Sequence, residues 1–356
     1  MKTYYVQYYS RTAAALAARD RQQTFPRAQW KFNFPHQAAK VVLTDSIKCG
    51  DAVNLHTGLN IIVHLKETST GDAKELSKNF AEMLLNLVTF STLASCDTAK
   101  LVSSIDASEK EAWPTMFCNY STEGKEVMPS LPLSVIDHNQ FGELFEAYDK
   151  SPDKERVSRV LSWLRKGINE HDSIDEFVCY WSGLEVIKHF FRRDTSFIRC
   201  KKGDKWNGIR GIFKQLGITD FDDIKSARIG LLHGTRELDN TFVQEISTYR
   251  EPLRKGLIFC AGRLLGITDA SIMAVVNRTP KRIPPEPWTV LKGTVKDLQS
   301  NFDELVKNYP SIAMEKVERQ FAIDSQGNIS VTLKSNHQFN SPQGGNFSAQ
   351  SIEYRG

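Results

Sequence analysis

The sequence lacks the features that mark metal-binding, secreted and membrane proteins. Its six cysteines include no C-x-x-C pair, which argues against a zinc site or a disulfide framework and favours reduced thiols. No apolar run approaches the length of a membrane span, and polar residues interrupt the N-terminus before a secretory signal could form. His56 and His64 lack metal-ligand spacing. We therefore expect a cytoplasmic protein that binds no metal, cofactor or membrane.

A large net charge is also missing, but positive charge is unevenly distributed. The surplus of +4 over the whole chain is too small to indicate nucleic-acid binding by itself. Between residues 192 and 214, however, there are eight basic residues and two acidic ones. The net positive charge of this basic segment therefore exceeds that of the whole chain. It is either a solvated loop and helix face or a surface for a polyanion.

Residues 1–137 are predicted to form a mixed α and β domain. The length of 356 residues allows two to three domains. Residues 58–66 have the composition of a strand, and a helix follows them after a Ser-Thr-Gly turn. Asp72 is expected to cap this helix, with Glu75 completing a capping box.

Residues 138–267 are predicted to form an all-helical bundle, because apolar residues recur there at helical spacing. A Ser-Pro-Asp sequence at 151–153 indicates a helix start with proline at the first helical position. Asp239 or Thr241 is expected to begin a long helix that Pro252 kinks.

Residues 268–356 are predicted to form a C-terminal extension. Prolines make its first part linker-like, a helix is expected over 295–309, and alternation between 317 and 333 indicates a β-hairpin. The end from residue 340 is rich in Ser, Gly, Gln and Asn and is expected to be disordered. The predicted fold class is α+β multidomain, with a helical bundle dominating the C-terminal half.

One segment of the helical region combines two chemically useful side chains. Residues 227–234 are Ala-Arg-Ile-Gly-Leu-Leu-His-Gly, which places Arg228 and His233 at the end of an apolar helix. Arginine grips phosphate with two donors, and histidine moves protons near neutral pH. Five residues of helix turn by about 500°, so the two side chains should point roughly 140° apart. They are expected to converge only if the helix unwinds near Gly234 or if two subunits meet.

This segment, the preceding residues 177–185 (Phe-Val-Cys-Tyr-Trp-Ser-Gly-Leu-Glu) and a long closing helix resemble the HEPN superfamily, above all its ApeA-like and MauJ-like branch. The resemblance covers about residues 138–267. It implies a helical bundle that forms a homodimer and acts, in many members, as a metal-independent endoribonuclease in bacterial antiviral defence. Arg228 and His233 take the positions of the family's Arg-x(4–6)-His motif, with Glu185 as a third polar, catalytic member.

The basic segment supplies the candidate RNA-binding residues. Trp206 within it is either a platform for base stacking or an anchor for a short helix. The candidates are Arg192, Arg193, Lys201, Lys202, Lys205, Trp206 and Arg210. A second Arg-x(4–6)-His spacing, at Arg165 and His171, lacks the helical setting of the first, and we interpret it as coincidence.

Structural alternatives exist for each of the three candidate catalytic residues. Arg228 could form a surface salt bridge with Asp222 or Asp223 on the previous turns. Glu185 could pair with His189 four residues later. His233 could simply interact with the helix dipole at the C-terminal end of its helix.

Two functions follow from these residues. The first is RNA cleavage by attack of the 2′-hydroxyl, with no cofactor. The second is a non-catalytic HEPN module that dimerises or docks RNA or a protein, while the N-terminal domain senses a ligand. Ile229 favours the second, because active relatives often carry a polar residue after the motif arginine. The sequence identifies neither the RNA nor a regulator.

Overall fold

The computed structural model describes residues 1–16, 29–34, 39–50, 53–106, 114–117, 134–191, 205–283, 288–294, 311–323, 329–340 and 346–352. Within these ranges the strands are β1 (Lys2–Ser10), β2 (Ala14–Leu16), β3 (Gln29–Phe34), β4 (Ala39–Gly50), β5 (Val53–Glu67), β6 (Lys100–Asp106), β7 (Pro114–Phe117), β8 (Ser134–Ile136), β9 (Trp288–Thr294), β10 (Ser311–Ile323), β11 (Ile329–Asn340) and β12 (Asn346–Ile352). The helices are α1 (Thr70–Thr92), α2 (His138–Lys150), α3 (Lys154–Asn169), α4 (Ser173–Ile187), α5 (Asn207–Gln215), α6 (Phe221–His233), α7 (Asn240–Leu264) and α8 (Asp269–Val276).

The N-terminal strands form a six-stranded sheet in the order β3-β4-β5-β1-β6-β7. Strands β1 and β5 are antiparallel, with Val6 opposite Val63 and Tyr8 opposite Ile61. These four side chains are buried on one face of the sheet. The hydroxyl of Tyr8 donates to the carbonyl of Lys74 in α1 at 2.7 Å. The predicted strand over 58–66 is thereby confirmed as part of β5.

Helix α1 begins two residues before the predicted cap. Ser69 is the capping residue, and its hydroxyl accepts from the backbone N–H of Asp72. The carboxylate of Asp72 in turn accepts from Ser69 Oγ at 2.7 Å, and these hydrogen bonds lower the pKa of Asp72. The prediction that Asp72 itself caps the helix was wrong, because the serine three residues earlier reaches the free N–H first.

The described parts of 138–267 are helical and contain no strand, which confirms the all-helical prediction for 138–191 and 205–267. Helices α3, α4 and α7 pack closely around Gly183 of α4. A Cβ atom there would lie 2.8 Å from Leu257 of α7 and 3.3 Å from Trp163 of α3. Helix α7 starts after Asp239, as predicted, and continues through Pro252.

Two predicted boundaries in this part of the chain were wrong. Helix α3 begins at Lys154, after Pro152, because Ser151 ends α2 instead of starting α3. The region after residue 267 is not a plain linker, since α8 forms there. Its cap is Thr268, whose hydroxyl accepts from the backbone N–H of Ser271.

In the C-terminal extension, β10 and β11 form the predicted hairpin, with Ile323 opposite Ile329. Strand β12 pairs with β9 in antiparallel fashion, so the expectation of disorder from residue 340 was wrong for residues 346–352. Backbone pairing orders this polar segment in spite of its composition. The helix expected over 295–309 lies outside the described residues.

The chain divides into two compact units, one comprising 1–48, 56–118 and 132–283, and the other 49–55, 119–131 and 284–356. The three-part division predicted from the sequence was based on the change from mixed to helical and then to linker-like composition. In the structure, α1 packs against α2, α3 and α8, and this packing joins the first two parts into one unit. Within the described ranges, no helix combines the length and apolar character needed to cross a membrane.

Candidate functional site

Helix α6 carries the motif arginine and histidine on its last two turns. Phe221, Ile224, Ala227 and Gly230 recur along its buried face, which anchors the helix. The helix ends because Gly234 adopts a φ of 63°, a left-handed conformation that glycine accommodates without steric cost. His233 is therefore the last helical residue.

Arg228 contacts both of the other residues proposed from the sequence as catalytic. Nη2 of Arg228 lies 3.1 Å from Oε1 of Glu185 on α4, and Nη1 of Arg228 lies 3.2 Å from Nε2 of His233. Oε1 of Glu185 also accepts from the indole N–H of Trp181 at 3.0 Å. Oε1 of Glu185 thus contacts both Trp181 on its own helix and Arg228 on α6. The ion pair with Arg228 joins α4 to α6.

The expectation that Arg228 and His233 converge only through unwinding or a second subunit was wrong. Helix α6 remains helical through His233, and both side chains belong to the same chain. The arginine side chain is long enough to span the angular separation between the two positions, so its guanidinium reaches the imidazole of the next turn.

The contact with Arg228 suits one tautomer of His233. Because a guanidinium has only donors, the contact is a hydrogen bond when the imidazole is neutral with its proton on Nδ1, which makes Nε2 the acceptor. His233 is exposed, whereas Nε of Arg228 is buried and has no acceptor among the described residues. A buried unpaired donor is uncommon in folded proteins, and this one leaves Nε of Arg228 available to an acceptor.

The structural alternatives for the first two residues do not match the observed partners. Asp222 pairs with Arg210, through contacts of 2.7 and 3.1 Å, and not with Arg228. Glu185 pairs with Arg228, and His189 is exposed at the end of α4. The side chains of Arg228 and Glu185 are 22% and 34% exposed, so solvent reaches the pair.

The structure describes three of the seven candidate RNA-binding residues, and only Lys205 is exposed. Arg210 is paired with Asp222 and also donates to Asn207 at 2.7 Å. The other four candidates lie outside the described residues; they are Arg192, Arg193, Lys201 and Lys202.

The prediction that Trp206 is a platform for base stacking was wrong. Its indole is 8% exposed, lies 4.7 Å from the ring of Trp181 and 5.8 Å from that of Phe221, and faces Nζ of Lys188 at 5.2 Å. Packing on these neighbours leaves no open ring face for a base. Trp206 is instead the anchor of α5, which was the alternative prediction.

Trp181 was expected to be a core residue and is indeed buried. Its second role, holding Glu185 through the indole N–H, was missed. The signal was present, because Trp181 and Glu185 stand four residues apart on one helix and therefore on the same face. Among the described residues, no group of three or more His, Cys, Asp or Glu side chains could hold a metal ion.

Comparison with known proteins adds no relative, since no family model, no curated protein and no solved structure matches the chain. The resemblance to the HEPN superfamily therefore rests on the quoted residues alone and remains a prediction.

Proposed function

We propose that the chain is a metal-independent endoribonuclease that cleaves RNA by attack of the 2′-hydroxyl on the neighbouring phosphate. The observation that carries this proposal is the contact of Arg228 with both Glu185 and His233 in one chain. It joins a phosphate-binding cation to a proton-transfer group beside solvent. That combination is what phosphodiester cleavage without a metal requires.

Arg228 binds the phosphate. Its guanidinium has five N–H groups, and each Nη atom uses one contact, to His233 or to Glu185. One further N–H on each Nη atom can donate to a phosphate oxygen, which gives the bidentate grip typical of arginine. Glu185 positions the guanidinium, and Trp181 positions Glu185.

His233 transfers protons. Once the second N–H of Nη1 is bound to the phosphate, the guanidinium shifts towards it and releases Nε2 of His233, which accepts the proton of the 2′-hydroxyl. The 2′-oxygen forms a bond to phosphorus, the bond from phosphorus to the 5′-oxygen breaks, and the leaving oxygen takes up a proton from His233 of a second protomer, which enters the step as the imidazolium and leaves it neutral. The products are a 2′,3′-cyclic phosphate and a 5′-hydroxyl.

The proposed assembly is a homodimer in which the two motif segments approach each other. Ile229 and Leu232 support this arrangement, because they precede His233 on α6 by four residues and by one residue and are 40% and 49% exposed. Exposed apolar side chains next to a polar site are typical of a contact surface. Sedimentation should show a dimer at micromolar concentration.

The deciding experiment incubates the purified full-length chain with mixed RNA in excess EDTA. Wild type should generate fragments with cyclic-phosphate ends, and His233→Ala should not. His189→Ala is the matched control, because His189 is an exposed histidine next to α4 without a contact to Arg228. Cleavage that survives in His233→Ala would show that the active site lies elsewhere.

The second candidate function is a non-catalytic binding module. It is favoured by Ile229 and by the ion pair of Arg228 with Glu185, which can also serve only to join α4 and α6. If wild type binds RNA in a gel-shift assay yet cuts none of it, this reading replaces the first.

A further inference from the structure

Helices α1 and α3 line a groove of about 700 Å³ that the proposed cleavage chemistry does not use. Helix α1 contributes Asn79, Met83 and Asn86, which recur at helical spacing, and the end of α2 contributes Tyr148 and Asp149. Small-molecule sites in proteins usually range from about 300 to 1,000 Å³, so the groove is large enough for a ligand.

Asn86 is the unusual residue of this groove. Its side chain is 3% exposed, and its amide oxygen has no hydrogen-bond partner among the described residues. Buried amides are nearly always hydrogen-bonded, because an unpaired one loses its bonds to water without replacement. Since Asn86 lines the groove, a ligand bound there can supply the missing partner.

On the other side of the groove, α3 presents a stripe of one aromatic and two basic side chains. Arg159, Trp163 and Lys166 recur at spacings of four and three residues, so they share one helix face. Trp163 is partly exposed, and Nζ of Lys166 lies 4.4 Å from its ring centroid. Arg159 is exposed and has no ion-pair partner among the described residues.

Two carboxylates of the groove are already neutralised within the chain. Glu82 forms an ion pair with Arg165, and Asp149 lies 2.6 Å from Lys154. The two cations of the α3 stripe are therefore opposed only by Glu155. This leaves a small cationic surplus beside an aromatic ring and a buried amide.

We propose that this groove binds a nucleoside monophosphate. The base displaces Nζ of Lys166 from the ring of Trp163, stacks there and exchanges hydrogen bonds with the amide of Asn86, since aromatic faces and amide edges are common readers of an unpaired base. The phosphate lies between Arg159 and Lys166. An inorganic anion would leave Asn86 unpaired, and an apolar ligand would not use the two cations.

The test is calorimetric titration of the full-length chain with AMP, GMP, CMP and UMP in turn. At least one nucleotide should bind, and Asn86→Leu should weaken that binding at least tenfold while raising the melting temperature. The two effects have opposite signs, because leucine of similar volume removes an unpaired polar group and also removes the contact to the base. Trp163→Leu should weaken binding to a similar degree.

The two cations are tested separately. Arg159→Ala combined with Lys166→Ala should reduce the affinity for the nucleotide to that for the corresponding nucleoside. Arg156→Ala is the matched control, because Arg156 is a basic residue of α3 that does not line the groove. Its affinity should equal that of wild type.

The groove is distinguished from the α4–α6 site by Arg228→Ala, which should bind the nucleotide as wild type does even if it cuts no RNA. Loss of nucleotide binding in Arg228→Ala would place the nucleotide at the α4–α6 site and overturn the inference. Failure of all four nucleotides to bind at millimolar concentration would overturn it as well, whatever the outcome of the cleavage assay.

Discussion

The Arg-x(4–6)-His spacing occurs twice in this chain, and the two copies lie in opposite environments. Arg165 is 6% exposed, and its guanidinium forms an ion pair with Glu82 of α1. Arg228 is accessible to solvent and contacts both Glu185 and His233. One arginine therefore joins two helices within the core, and the other presents donors to the outside.

The difference arises from where each helix ends. Helix α6 continues to His233 and stops there, so the histidine lies one helical turn from its arginine. Helix α3 ends at Asn169, two residues before His171, which therefore lies in the turn that leads to α4. A spacing in the sequence brings two side chains together only when the backbone between them is regular.

The largest expected effect is the loss of stability when Arg165, the buried arginine of the two, is replaced. Arg165→Ala should lower the free energy of unfolding by about 3 kcal/mol, because it leaves the carboxylate of Glu82 without its cation. Urea unfolding followed by circular dichroism measures this. Any protein that stays folded should cut RNA at the wild-type rate. A loss below about 1 kcal/mol would mean that the pair is no stronger than a surface salt bridge.

Replacement of Arg228, the solvent-accessible arginine, should reduce RNA cleavage and leave stability nearly unchanged. Arg228→Ala should reduce RNA cleavage at least 100-fold, the loss typical of an electrostatic catalytic group. Its unfolding free energy should change by less than about 1 kcal/mol, because the pair with Glu185 is partly solvated. Single-turnover cleavage and urea unfolding of the same preparation test both parts. A large stability loss would mark Arg228 as structural.

A smaller effect is expected when the charge is kept but the shape is changed. Arg228→Lys should cut RNA about tenfold more slowly than wild type, which corresponds to roughly 1.4 kcal/mol, about the value of one lost charge-assisted hydrogen bond. An ammonium carries its three donors on one nitrogen, so it cannot reproduce the planar fork that contacts Glu185 and grips a phosphate through two nitrogens. Equal rates for lysine and arginine would refute the bidentate role.

The smallest effect concerns pH and the second histidine. Partial desolvation, followed by the charges of Arg282 and Arg11, lowers the pKa of His171 below its ordinary value of 6.5. The unfolded chain therefore binds the proton more readily than the folded chain does, and stability should fall as the pH drops through 6.5. His171→Gln should lose less stability than wild type between pH 7.5 and 5.5. Parallel melting curves would contradict this.

Local signals predicted much of the helical region. The apolar stripe and Gly234 located α6, and Asp239 located the start of α7, because caps and buried faces depend on residues within a few positions. The same logic failed at Asp72 and at Pro152. At Asp72 a serine three residues earlier accepts from the free backbone N–H, and at Pro152 the preceding serine ends α2.

Trp206 shows why the site could not be fully predicted. Its sequence neighbours left both a surface position and a buried one open, and the rings of Trp181 and Phe221 bury it. The pairing of Arg228 with Glu185 was equally open, because aspartates on the previous turns were closer in sequence. A salt bridge chooses among such partners only after the helices have packed.

By itself, the sequence determined that residues 138–267 are helical where the structure describes them, where α6 ends and α7 begins, and which arginine and histidine share the end of α6. Only the tertiary structure decided which carboxylate pairs with Arg228 and that Glu82 forms an ion pair with Arg165. It also decided that the amide oxygen of Asn86 is buried without a hydrogen-bond partner among the described residues. The reason is physical. Helix periodicity and capping are set by residues within about four positions, whereas ion pairs and burial depend on which distant surfaces pack together.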